Sequence, residues 1–284
     1  MITWISSYPK SGSTYLRLLI NSYLCGGRLD INNLPYGGSD NRKYYYQAVA
    51  PVSVDKMTRD EIFFIRYAAL FNMAYGMFQI PCLIKTHNVN GNAQDIDLIP
   101  YQITDRAFHV VRDPRNIIPS FSRHMDLTID KSIEALNDRE FSISNDGKFY
   151  HVLSDWSTHV NSWLNEQRYQ VTLIKYEKLV ADPADTIRGV LDRLGIYIDE
   201  DYVQKAVEST KIDHLREQEN TEGFLEKSSS NQFFHGQTDY QKDLTEDQIK
   251  RIEEQHYETM DRLGYTTACG DNEGQGRDST RQSA

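Results

Sequence analysis

Cysteine is scarce: the 284 residues include only three, Cys25, Cys82 and Cys269, and no two are spaced as a CxxC pair. That scatter excludes a disulfide framework or a thiolate zinc site, and it fits a reducing compartment. Long apolar runs are missing as well. No stretch reaches the roughly eighteen uncharged apolar residues of a membrane-spanning helix, and no basic segment leads into an apolar one at the start of the chain. Positive charge is in deficit, with 31 Lys and Arg against 41 Asp and Glu and a formal net charge of −10. This balance argues against a nucleic-acid partner or a polyanionic polymer, while a local cradle for a small anion remains compatible. No internal repeat occurs. Beyond Thr267 the chain lacks apolar periodicity, so residues 268–284 are expected to form a disordered tail on a domain spanning 1–267. The expectation is a soluble, cytoplasmic chain without stable membrane insertion.

With 39% apolar residues the chain has enough to fill a core. Four short apolar runs read as buried strands, at residues 2–6, 81–85, 107–111 and 171–175. Helical patterns cover residues 14–24, 60–78, 115–124, 149–168, 183–195, 201–210 and 245–264. Strands alternating with helices predict a three-layer α/β/α fold around a central parallel sheet. Asp182-Pro183 opens one helix and Gly195 closes it, and Thr245 with Gln248 has capping-box spacing. Trp156 and Trp163, seven apart with Val152, Val160 and Leu164, form a stripe that reads as core. Three long polar connections remain, at residues 28–56, 89–106 and 125–148. The first carries Tyr36 and the run Tyr44-Tyr45-Tyr46, which either line a pocket or cover a surface.

The chemistry is concentrated where the first strand runs into Tyr8-Pro9-Lys10-Ser11-Gly12-Ser13-Thr14-Tyr15. Gly12 lets backbone N–H groups approach a phosphate, Ser11, Ser13 and Thr14 bring hydroxyls, Lys10 adds a charge, and the following helix directs its positive end there. In a Walker A loop the lysine follows the second glycine; here it precedes the turn's single glycine, which is the wrong order for an ATP-hydrolysing loop.

This inverted order resembles the 5′-phosphosulfate loop of the cytosolic sulfotransferase family, whose donor is 3′-phosphoadenylyl sulfate (PAPS). Two further motifs carry the resemblance. Lys85-Thr86-His87 closes the second apolar run, and in the family such a segment supplies the histidine that deprotonates the acceptor hydroxyl. A histidine at the C-terminal edge of a parallel sheet, with a pKa near ~6.5, suits that task. Arg112-Asp113-Pro114 with Ser120 resembles the 3′-phosphate motif, an arginine and a serine eight residues apart. The resemblance extends over roughly residues 2 to 265. It implies a P-loop NTPase-like fold, PAPS as co-substrate, no metal, and a small-molecule hydroxyl or amine acceptor. It assigns catalysis to His87, Lys10 and Lys85. Cofactor binding falls to Lys10, Ser11, Gly12, Ser13, Thr14, Tyr15, Arg112, Ser120, Tyr176, Thr210, His235 and Gly236. Tyr15 would stack on adenine, with Tyr176 and Thr210 nearby.

The segment Gln232-Phe233-Phe234-His235-Gly236 departs from the family, which carries an Arg-Lys-Gly triplet on the 3′-phosphate. His235 with the Gly236 backbone, or charge from elsewhere such as Lys227, has to replace two missing cations. The expected activity is sulfuryl transfer from PAPS, leaving adenosine 3′,5′-bisphosphate. The alternatives are a P-loop kinase-like phosphotransferase and a non-catalytic nucleotide-binding protein.

Overall fold

The computed structural model describes residues 1–76, 82–144, 149–227, 231–236 and 238–265. The expected tail at 268–284 lies outside the described residues, as do the ends of three expected elements at Pro81, Phe78 and Lys148.

At the centre lies a five-stranded parallel sheet. It contains β1 (Ile2–Ser7), β2 (Gly38–Ser39), β3 (Cys82–Thr86), β6 (Thr104–Val111) and β9 (Gln170–Lys175), in the order β2-β3-β1-β6-β9. Two antiparallel hairpins stand outside it: β4 (Asn92–Ala93) with β5 (Ile96–Asp97), and β7 (Ser142–Ser144) with β8 (Tyr150–Val152). Alternation along each strand divides the core between the two faces. Trp4, Ile84 and Ala107 pack on one side with Leu70, Met73 and Trp163. Their neighbours Ile5, Leu83 and Phe108 pack on the other with Leu16, Leu19, Ile187 and Leu191.

Helices cover both faces. α1 (Ser13–Leu24) follows β1, and α9 (Pro183–Leu194) and α10 (Glu200–Ser209) pack near it. The opposite layer contains α2 (Lys43–Gln47), α3 (Arg59–Phe64), α4 (Arg66–Gly76) and α7 (Trp156–Leu164). α5 (Pro114–Met125), α6 (Ile129–Asn137) and α13 (Glu246–Arg262) share a third cluster with Trp156 and Val160. α8 (Tyr176–Ala181), α11 (Ile212–Glu222) and α12 (Tyr240–Asp243) complete the set.

The expected three-layer parallel fold is the observed one, with local corrections. β2, inside the long 28–56 connection, is too short to leave a sequence pattern. The pattern at 149–168 is not one helix: residues 150–152 pair with β7, and Val152 N–H donates to Asn88 Oδ1 (2.9 Å). Helix α7 starts only after Asp155 caps Thr158 N–H (2.9 Å). The pattern at 60–78 breaks at Ile65, which ends α3, and Arg66 then turns inward to a buried carboxylate at 2.6 Å. Pro119, in contrast, does not end α5. Trp156 and Trp163 are fully buried, as the stripe required.

Three buried histidines carry a consequence for stability. His109 lies beside Ser6 Oγ (2.9 Å), His256 sits between Ser157 Oγ (2.8 Å) and Asn137 Oδ1 (3.1 Å), and His159 is fully buried. Burial lowers all three, His159 and His256 to about 4 and His109 well below its usual value. The unfolded chain, with pKa near ~6.5, therefore binds more protons below that pH, and stability is lost as pH falls from about 6.5 toward 4. We expect each to cost about 1 kcal/mol by pH 5.5, read as a falling melting temperature between pH 7.5 and 5 by calorimetry. A flat melting temperature over that interval would contradict the assignment.

Candidate active site

Strands β3, β1 and β6 are neighbours in register, with Ser6 opposite both Thr86 and His109. Their C-terminal ends therefore open side by side, and the three motifs follow from them: Lys10 to Thr14 after β1, His87 after β3, and Arg112 after β6.

The turn after β1 is closed by Ser11 N–H donating to Tyr8 O (3.2 Å), with Lys10 at φ 66° and Gly12 at φ 104°. Gly12 caps α1 without a side-chain hydrogen bond, so the helix's leading N–H groups face the turn without a side-chain cap. A Cβ at Gly12 would run into the Tyr176 ring. Ser11 Oγ is buried with no hydrogen-bond partner, and Ser13 Oγ accepts from Ser7 Oγ (2.8 Å). Lys10 Nζ lies 3.9 Å from the centre of the Phe233 ring. Burial, followed by repulsion from Lys85, Arg112 and Arg123, lowers Lys10 to about 7. These cations crowd together with too little negative charge among them, and the orphaned hydroxyl and open cradle fit an anionic ligand.

His87 Nδ1 lies 2.8 Å from Ser7 O. A carbonyl only accepts, so Nδ1 carries the hydrogen and Nε2 keeps its lone pair. Burial, then Lys85 and His151, push the imidazole well below its usual pKa and keep it neutral. Lys85 Nζ reaches Thr14 Oγ1 (3.5 Å) and Glu226 Oε2 (3.3 Å). Glu226 also binds Arg17 (2.5 Å) and Arg42 (3.5 Å); burial favours its neutral form, but Lys85 and Arg17 outweigh that and hold it ionised.

Arg112 makes no ion pair among the described residues. The adjacent carboxylate of Asp113 pairs with Arg115 (2.6 Å) and caps α5, and Arg115 continues to Glu253 (2.5 Å). The Arg112 fork donates to Lys10 O (3.0 Å) and Thr238 Oγ1 (2.5 Å) above the Tyr176 ring (4.3 Å). Ser120, one turn before Arg123 on α5, lines a small cavity with Lys10, Arg123, His124, Lys227 and His235. Arg112 reaches the same turn from its other side, through the carbonyl of Lys10, which also lines that cavity. The exposed His235 and its neighbour are held by Arg216, which donates to Phe234 O (2.8 Å) and His235 O (2.6 Å); Gly236 adopts φ 86°. Lys227 also pairs with the buried Glu219 (3.4 Å). Tyr15 lies beside Thr210, whose buried hydroxyl donates to Ala206 O (2.7 Å). Tyr45 and Tyr46 belong to the core, whereas Tyr44 lines an open groove with Arg42, Lys43 and Gln47.

A family model described as a sulfotransferase domain matches residues 2–264. The chain belongs to the sulfotransferase family. Sulfotransferase 1A1 of Rattus norvegicus is 20% identical over 225 residues, covering 75% of this sulfotransferase and 66% of the rat protein. Sulfotransferase 1C2 of Homo sapiens is 31% identical over 67 residues, 23% of each chain. The chain thus spans just under two thirds of the first relative's length. Among solved structures, mouse sulfotransferase SULT7A1 complexed with PAP superposes with a TM-score of 0.56 at 20% identity, covering 91% of this chain and 84% of that one. Retinol dehydratase in a complex with retinol and PAP gives 0.60 at 14%, covering 91% and 81%. At these identities the likeness establishes a shared fold.

Several residues at the site left no recognisable sequence signal. Asp40, the buried carboxylate that Arg66 meets, follows the two-residue β2, and His151 and Glu226 also sit in short or irregular elements. Arg123 had one, its i+3 spacing from Ser120. Gly12→Ala should lower stability by about 1–3 kcal/mol, because it combines a left-handed backbone with a clash. The companion change Tyr176→Ala should recover part of that loss in a thermal melt; equal melting temperatures for wild type and Gly12→Ala would refute the cradle geometry.

Proposed function

We propose that this sulfotransferase moves the sulfuryl group of PAPS to a hydroxyl or amine of a small-molecule acceptor, releasing adenosine 3′,5′-bisphosphate. The observation that carries the proposal is the pairing of a neutral His87, its Nε2 without a hydrogen-bond partner among the described residues, with an uncapped cationic turn on the adjacent strand. PAPS supplies the sulfuryl group on a good phosphate leaving group. His87 Nε2 takes the acceptor's proton as the acceptor's oxygen–sulfur bond forms and the bond from sulfur to the phosphate oxygen breaks. Lys10, its charge restored by an arriving anion, stabilises the leaving oxygen. Lys85 serves the sulfuryl oxygens. The Ser11, Ser13 and Thr14 hydroxyls with the N-terminus of α1 hold the 5′-phosphate, and Tyr15, Tyr176 and Thr210 border the base. A loose transition state needs this positioning and charge more than covalent help.

We assign the 3′-phosphate to the surface beside Ser120, with Arg123, Lys227 and His235 in place of the family's missing pair. Arg112 supports the turn through Lys10 O. The groove beside Tyr44 supports an acceptor with an aromatic or apolar body. A cytoplasmic setting is consistent with the free thiols of Cys25 and Cys82. Among the described residues no helix is long and apolar enough to cross a membrane.

A labelled-PAPS transfer assay against phenols, alkyl alcohols, glycosides and lipids tests the activity, and calorimetry with ATP and magnesium tests the kinase alternative. His87→Ala is expected to cut turnover at least a hundredfold, on the order of 3 kcal/mol in the barrier, with bisphosphate affinity unchanged; wild-type turnover would defeat the base assignment. Arg123→Ala combined with Lys227→Ala should reduce the preference for adenosine 3′,5′-bisphosphate over adenosine 5′-phosphate by tenfold or more while leaving 5′-phosphate binding intact. An undiminished preference places the 3′-phosphate elsewhere.

A further inference from the structure

One buried carboxylate organises the surroundings of His87. Asp40, fully buried just after β2, donates its backbone N–H to Lys85 O (3.0 Å). Its Oδ2 accepts from Thr86 Oγ1 (2.9 Å), Asn88 Nδ2 (3.0 Å) and Arg66 Nη2 (2.6 Å), and its Oδ1 accepts from His151 Nε2 (2.8 Å). Burial alone would favour the neutral acid, but Arg66 and His151 outweigh it and keep Asp40 ionised. Asp40 therefore grips the residues on both sides of His87 and, across the site, the ring of His151.

That ring stands at 89° to His87, centre to centre 5.4 Å. A carboxylate only accepts, so His151 Nε2 carries a hydrogen and its ring orientation is fixed from behind. The strand that bears it is held by Val152 N–H on Asn88 Oδ1 (2.9 Å) and by Val89 N–H on Val152 O (2.8 Å). His87 itself donates from Nδ1 to the Ser7 carbonyl (2.8 Å), with Ser7 Oγ at 3.4 Å from the same nitrogen.

Building on His87 as the base, we propose that His151, locked by Asp40, is a positioning residue for it. Its ring blocks the rotation about Cβ–Cγ that would carry Nδ1 off Ser7 O and put a ring carbon there, and so keeps the hydrogen on Nδ1 and Nε2 as the proton acceptor. The groups around His87 are Lys85 on β3, His151 on β8 and His159 on α7, all of which disfavour its protonated form. Removing His151 therefore raises the His87 pKa and exposes the ring to reorientation.

The test uses the full chain with His151→Ala and His151→Phe; the latter keeps a ring but cannot bond Asp40. Both are expected to lower kcat, alanine by tenfold or more, with affinity for adenosine 3′,5′-bisphosphate within twofold of wild type. Both should move the acid limb of kcat/KM to higher pH, and nitrogen NMR of the imidazoles should show His87 leaving its single Nδ1–H tautomer. His151→Gln retains a donor for Asp40 and replaces either variant that fails to fold, with the same readouts. A folded variant with wild-type kcat, acid limb and tautomer overturns the positioning role. Wild-type turnover in His87→Ala sinks the base assignment as well; loss of turnover there beside unaltered His151 variants sinks the positioning role alone.

Discussion

Everything at the site depends on the backbone ladder that joins β3, β1 and β6 in parallel. Parallel pairing sends all three chains in one direction, so three segments far apart in sequence finish at the same edge. The ladder is insulated on both faces by apolar side chains that alternate along each strand, which leaves its register little freedom to slip. A lysine-bearing turn, an imidazole and a guanidinium converge because of main-chain hydrogen bonds that none of them makes.

The second constraint is electrostatic. A chain with formal charge −10 concentrates Lys10, Lys85, Arg112 and Arg123 in one region, and the cost appears in Lys10, lowered to about 7. Negative charge is arranged around the cluster at two levels. Glu219 and Glu226 meet cations directly, while Asp40 sits deeper and holds the His151 imidazole. The surface charge of this protein thus says little about the ligand it is built to receive.

The parts of the fold legible in the sequence were those governed by local periodicity: the four long strands, the helices after Gly12 and Pro114, the caps at Asp182 and Thr245, and the buried tryptophans. Tertiary demands hid the rest. Residues 150–152 share the apolar spacing of the helix that follows them, and only pairing with β7 and Asn88 makes them a strand. β2 is two residues long and exists because β3 offers it a partner. At the site, Lys10, Gly12, His87 and Arg112 announced themselves by motif and order. Asp40 and His151 did not, because a carboxylate and an imidazole that meet 111 residues apart leave no spacing to recognise. Arg112 was named by its motif, but the motif did not show that its fork also braces the turn through the Lys10 carbonyl.

Glu226 changes how ligand entry has to be described. Its carboxylate already sits on Lys85 and Arg17, so a sulfuryl or phosphate oxygen that engages Lys85 competes there with an internal anion. Affinity at Lys85 then reads as a difference between two anions on one cation, and the protein tempers its own binding there by how tightly Glu226 is held.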